Sequence, residues 1–239
     1  MRVGSAASGF GLLDYGLQLA GMKIVWQSEI NEYASAVLRK HWPSVPNFGD
    51  LATLDPNRLP EFDLFAGGFP CKQTSLAAAT SGNRVGLSGK DSGLWWHMLR
   101  VISAIRPRGV LIENVAGVKT WASTIQGGLE GLGYKVSRQE LSSAACCASH
   151  LRRRMFFYAD RDGKRLALTR PKRPSPVADE SRAALARGFW REDQSGILRM
   201  DDGAPYRMER IIGIGNGVDV RVAYEIGRAI MAAHYGNAT

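Results

Sequence analysis

Through the first 160 residues, short apolar runs alternate with longer stretches in which apolar positions recur every three or four residues. The short runs predict strands over 2–7, 23–28, 63–66, 109–112, 134–141 and 155–159, and the longer period predicts helices over 12–20, 32–41 and 94–105. Pro107 and Gly109 stop the last helix ahead of its strand. Strands alternating with helices are the mark of a mostly parallel sheet covered on both faces, so the chain reads as α/β. The rhythm breaks after Asp160, where 161–210 is rich in Arg, Lys, Pro, Asp and Gly and only weakly periodic. It resumes at Ile211 with a GIGNG turn and a helix over 221–235. The chain therefore divides into 1–160, a short basic insert over 161–210, and a C-terminal segment over 211–239 that returns to the first part.

Composition changes this picture in two ways. With 239 residues, 45% apolar and 22% charged, the chain has the length and balance of one large soluble domain, or one domain with a small appendage. There is no apolar run of membrane-spanning length, and the N-terminus lacks a signal-peptide layout. Three cysteines, two of them adjacent, make no disulfide framework, which points to a reduced, cytoplasmic setting. A net charge of +9 favours a polyanionic partner, most simply nucleic acid.

Five places carry candidate chemistry. SAASGFG at 5–11 joins the first strand to a helix, and its glycines allow a ligand close to the backbone. That layout is shared by nicotinamide, flavin and S-adenosylmethionine folds, but a clean GxGxxG is missing. Glu29 ends the second strand, where an acid takes ribose hydroxyls or simply starts a helix; Asp50 reads as an acceptor for an adenine amino group or as a turn residue. LFAGGFPCKQTS at 64–75 places Cys71 behind Pro70 and two glycines, an odd setting for a packing cysteine. GVLIENV at 109–115 brings Glu113 to the carboxyl end of an apolar strand, with ion pairing as the alternative to chemistry. Cys146, Cys147, Trp95 and Trp96 read as core.

GFPC, then ENV, then Arg152 and Arg154 as an R-x-R pair before an apolar strand, then GNG at 215–217 resembles, in that order, the C5-cytosine DNA methyltransferases. The likeness is closest to the compact phage and prophage type, and it spans 1–160 and 197–235. It implies a methyltransferase Rossmann-like fold with a mostly parallel seven-stranded sheet and a very small target-recognition insert. Residues 1–160 would then be the catalytic and cofactor-binding domain. Cys71 would be the nucleophile that adds to C6 of a flipped-out cytosine, and Glu113 the acid at N3. Arg154, with Arg152, would orient that acid and bind the base. The cofactor would be S-adenosylmethionine, without metal, held by Ser8, Gly9, Phe10, Gly11, Glu29, Asp50, Asn216 and Gly217. Lys72, Ser75, Arg84, Lys90 and His150 would face the DNA, with 75–93 as a mobile lid.

Three positions depart from the family pattern: Ala7 replaces an aromatic residue, and Lys72 and His150 replace glutamines. With about 50 residues of insert, recognition should be short or relaxed, because little surface remains to reach base edges. The expected partner is double-stranded DNA, bound by a monomer in a bacterial or phage-infected cell. The competing readings are a silent DNA-binding relative and an RNA cytosine methyltransferase.

Overall fold

The computed structural model describes residues 1–69, 93–115, 119–146, 152–166 and 217–236. Six strands lie among them: β1 Arg2–Ala6, β2 Lys23–Ser28, β3 Leu64–Gly68, β4 Gly109–Val115, β5 Lys135–Ser142 and β6 Arg153–Asp160. Five helices accompany them: α1 Leu12–Leu19, α2 Glu32–His41, α3 Leu94–Ile105, α4 Lys119–Gly131 and α5 Val220–Tyr235. The strands form one sheet in the order β2-β1-β3-β4-β6-β5. Its first four strands are mutually parallel, and β6 runs antiparallel between β4 and β5. The expected mostly parallel sheet is thus present, with six strands rather than seven among the described residues.

Alternation along each strand sorts the core into two layers. Phe65, Val110, Ile112, Phe157 and Ala159 face α3 and α4 with Trp95, Met98, Ile102, Trp121, Ile125 and Leu129. Leu64, Ala66, Leu111, Phe156 and Tyr158 face α1 and α5 with Leu17, Val222, Ala223, Ile226 and Ile230. Small residues let the two helices of the second layer touch. A Cβ on Gly16 would fall 2.3 Å from Ala223 Cβ, and one on Gly227 would fall 2.7 Å from Ala20 Cβ.

The sequence expectations differ from the fold at three places. β4 continues past the apolar run that ends at Ile112 and reaches Val115, with Glu113 and Asn114 near its carboxyl end. Helix α4 was not anticipated. Trp95 is fully buried but Trp96 is half exposed, because consecutive helical residues point about 100° apart and only one can face the sheet. Cys146 is buried in the second layer as expected, and Cys147 lies outside the described residues. Among the described residues no helix is long and apolar enough to cross a membrane.

Candidate active site

From β1 the chain leads to β2 on one side and β3 on the other, so a crevice opens beyond the carboxyl ends of these strands. The loop after β1 crosses it. Ala7, Gly9 and Gly11 all adopt left-handed backbone, at φ 50°, 56° and 73°. Glycine meets that demand without strain, whereas Ala7 carries some. Gly11 is constrained twice, because a Cβ there would come within 2.5 Å of the Trp42 ring. As the N-cap of α1, Gly11 supplies no side-chain cap.

Glu29, just past β2, holds this loop. Its Oε2 accepts from Gly9 N–H at 2.8 Å and its Oε1 from Asn31 N–H at 2.8 Å. Both oxygens keep a further lone pair. Ser28 Oγ donates to Gly49 O at 2.7 Å, which ties in the loop that carries Asp50. Asp50 Oδ1 accepts from Ala52 N–H at 2.8 Å, so it does serve the turn. Phe10 packs on Tyr33 with ring centroids 5.7 Å apart. Ile30, which sequence reasoning passed over, is 71% exposed directly beside Glu29. Its signal was an apolar residue immediately after the candidate ribose acid. An uncapped helix start, a carboxylate and an apolar side chain together suit a nucleoside ligand.

The second half of the site comes from register. Gly68 pairs with Glu113 across β3 and β4, and Glu113 pairs with Phe156 across β4 and β6. Because β6 is antiparallel, its beginning lies at the same edge as the ends of β3 and β4. Residues 152, 154 and 156 share a parity, so Arg154 lands on the face that carries Glu113. Arg154 Nε lies 2.8 Å from Glu113 Oε1, with the two side chains 16% and 10% exposed. Strand periodicity alone does not point to this pair; the family resemblance did, in assigning Arg154 to orient the acid.

Burial pushes the Glu113 carboxyl up, and the charges of Arg154 and Arg152 together with the Arg154 hydrogen bond pull it back only part of the way, to about 7. A carboxyl in that range can hold or release a proton near neutrality. Gly68 leaves the room it needs, since a Cβ there would stand 2.8 Å from Glu113 Oε2. Asn114, fully buried on the opposite face, donates from Nδ2 to Phe69 O at 3.4 Å and so anchors the chain where β3 ends.

Arg152 also makes a contact that its motif did not suggest. Its Nη2 donates to Gly217 O, which joins the start of β6 to the segment leading into α5. Its charge still acts on Glu113. Ser8, Gly9, Phe10, Gly11, Glu29, Asp50, Glu113, Arg152, Arg154 and Gly217 therefore belong to the described structure. Cys71, Lys72, Ser75, Arg84, Lys90, His150 and Asn216 lie outside the described residues.

Comparison with known proteins follows the same outline. The chain is 30% identical over 152 residues to the Type II methyltransferase M.NlaIV of Neisseria lactamica, covering 59% of this chain and 35% of that protein. It is 28% identical over 171 residues to the orphan methyltransferase M.SPRI of Bacillus phage SPR, covering 68% and 38% respectively. Among solved structures it is similar to the S. pombe Dnmt2 methyltransferase, with a TM-score of 0.55 and 25% identity over 67% of this chain and 50% of that one. The chain thus spans 35% to 50% of the length of these relatives. The family model for C-5 cytosine-specific DNA methylase matches residues 1–191, a span that takes in the glycine loop, the buried acid and its arginine. On that match the chain belongs to the C-5 cytosine-specific DNA methylase family.

Proposed function

We propose that this chain is a DNA (cytosine-5)-methyltransferase whose methyl donor is S-adenosylmethionine and whose nucleophile is Cys71. The observation that carries the reading is the buried Glu113–Arg154 pair at the carboxyl edge of the sheet, beside Gly68 and three residues short of the cysteine in sequence.

C5 of cytosine is a weak nucleophile. Addition of the Cys71 thiolate to C6 pushes the ring's π electrons toward N3 and C5. Glu113, neutral below about pH 7, donates its proton to N3 as the S–C6 bond forms. Arg154 keeps the Glu113 carboxyl in place and offers its remaining N–H groups to the base carbonyl. The cofactor, when bound, supplies an electrophilic methyl group at its sulfonium. Loss of the C5 proton to water or a base then lets the ring expel Cys71 as thiolate and regain its double bond, and N3 returns its proton to Glu113. Ser8, Gly9, Phe10, Gly11, Glu29, Asp50, Asn216 and Gly217 would hold the cofactor. The target base leaves its stack to reach the pocket, because its C5 and C6 are otherwise shielded by neighbouring bases. Lys72, Ser75, Arg84, Lys90 and His150 are assigned to the DNA side, and the small insert to a short or relaxed target sequence.

The test is transfer of tritiated methyl from S-adenosylmethionine to double-stranded DNA, mapped by bisulfite sequencing, with single-stranded DNA and tRNA as parallel substrates. Cys71→Ser should abolish transfer while leaving DNA binding intact. On DNA containing 5-fluorocytosine the wild type should form a covalent adduct and the variant should not. Full activity in Cys71→Ser would reject the mechanism.

A further inference from the structure

The mechanism leaves one buried acid unused. Asp14 lies in the first turn of α1, where an acidic residue normally faces solvent and complements the helix dipole, yet it is fully buried. Among the described residues no cation pairs with it. Its oxygens are filled by neutral donors from the two strands beneath: Ser5 Oγ donates to Oδ1 at 2.6 Å, and Gln27 Nε2 donates to Oδ2 at 2.7 Å. A buried carboxylate held this way is costly and strongly directional. Ser5 in turn touches Ser8, with the hydroxyl oxygens 2.9 Å apart. Ser8 is a residue of the cofactor loop.

We propose that Asp14 is a positioning residue for the methyl donor, fixing the direction of the Ser5–Ser8 hydroxyl chain so that Ser8 meets the ligand as a hydrogen-bond acceptor. This rests on the function proposed above and deepens its cofactor site. A hydroxyl carries one hydrogen. The ionised carboxylate accepts only, so the hydrogen of Ser5 is committed to Asp14. The hydrogen between the two hydroxyls is then that of Ser8, donated inward to Ser5 Oγ, with the Ser5 carbonyl oxygen at 3.3 Å as a second inward acceptor. Only the lone pairs of Ser8 remain for a ligand. The complementary group is a donor, and in S-adenosylmethionine the ammonium of the amino-acid portion is the strongest one. Burial raises the Asp14 carboxyl to about 6, so it is ionised at about pH 8, where the chain has this single direction.

Asp14→Asn keeps the shape and reverses the chain. The new amide donates to Ser5, Ser5 then donates to Ser8, and Ser8 turns its hydrogen outward toward the ligand's own donors. Binding at pH 8 by calorimetry tests this with two ligands: S-adenosylhomocysteine, which keeps the ammonium, and 5′-methylthioadenosine, which lacks it. Asp14→Asn should weaken the first on the order of tenfold, the worth of one charge-assisted hydrogen bond, and leave the second unchanged. Ser5→Ala, which removes the link and leaves Gln27 as the side-chain donor to the acid, should weaken the first ligand similarly, and the double variant should be no worse. Should Asp14→Asn fail to fold, Ser5→Ala alone decides, on the same two ligands. Equal loss for both ligands would mark a merely structural role and overturn the proposal, as would wild-type affinity in either folded variant. A wild type that binds neither ligand would remove the cofactor assignment itself, and this inference with it.

Discussion

At Glu113 burial and charge pull against each other. Desolvation favours the neutral acid, the Arg154 and Arg152 charges favour the carboxylate, and the balance falls at about 7. The consequence for rate has a definite sign. If the neutral form is the proton donor, kcat/KM should be level below about pH 7 on this group's account and fall as pH rises beyond it. On the proposed mechanism, the need for a Cys71 thiolate should bend the profile down on the acid side. Glu113→Gln should lose activity by a factor on the order of 100 to 10,000 and lose the alkaline limb, while DNA affinity in a filter-binding assay stays within about twofold. An unchanged alkaline limb in the variant would assign that limb to another group. The acid itself was legible in sequence, from an ionisable residue at the end of an apolar run. Its partner was legible only through the family resemblance and not from periodicity, because strand alternation does not say which way a strand runs. Only the antiparallel register that sets Val115 opposite Arg154 brings the two charges together.

Strand β3 separates two roles that look identical in the sequence. Gly67 and Gly68 are adjacent, but alternation sends them to opposite faces. A Cβ on Gly67 would stand 2.7 Å from the backbone carbonyl oxygen of Ala6, an atom that β1 cannot move. One on Gly68 would instead meet the tip of the Glu113 side chain, which can shift only by leaving Arg154. Gly67→Ala should therefore cost stability, about 1–3 kcal/mol, and lower Tm by several degrees in a thermal melt. Gly68→Ala should melt close to the wild type yet lose methyl transfer at least tenfold. The reverse pattern would show that the acid tolerates displacement. Periodicity located nearly every other helix, because each buries one face, while the inner strands showed as short continuous apolar runs buried on both faces. It missed α4, where Gly127, Gly128 and Gly131 dilute the pattern, although Trp121, Ile125 and Leu129 recur at helical spacing and are buried. The antiparallel direction of β6 was illegible for a simpler reason, since period two has no direction.

Across the whole molecule the groups that suit the site for catalysis weigh on the stability of the fold. Asp14 and Glu113 sit at about 6 and about 7 in the folded chain, against ordinary values of 3.8 and 4.5, and burial is the main cause for both. Burial raises Glu225 as well. A carboxyl that is raised by folding stabilises the fold fully below its unfolded value and loses that contribution as pH climbs through its folded one. Asp63 and Asp219 behave oppositely. Burial alone would raise them, but hydrogen bonds and charge from Arg2 and Arg221 win and hold both below the usual carboxylate range. Their contribution is present above the unfolded value and disappears as pH falls through the folded one. Stability should therefore peak near pH 4 and decline toward pH 8, with Asp14 and Glu113 each responsible for a loss on the order of 3 kcal/mol. Urea unfolding measured between pH 4 and 9 would show it. Glu113→Gln should flatten the decline between about pH 5 and 7.5 and make the variant more stable than the wild type at pH 8, as expected when a strained functional group is removed. A wild-type stability that stays level or rises from pH 5.5 to 8 would mean that water reaches both carboxyls in the folded state, and that Glu113 is already ionised where the reaction needs its proton.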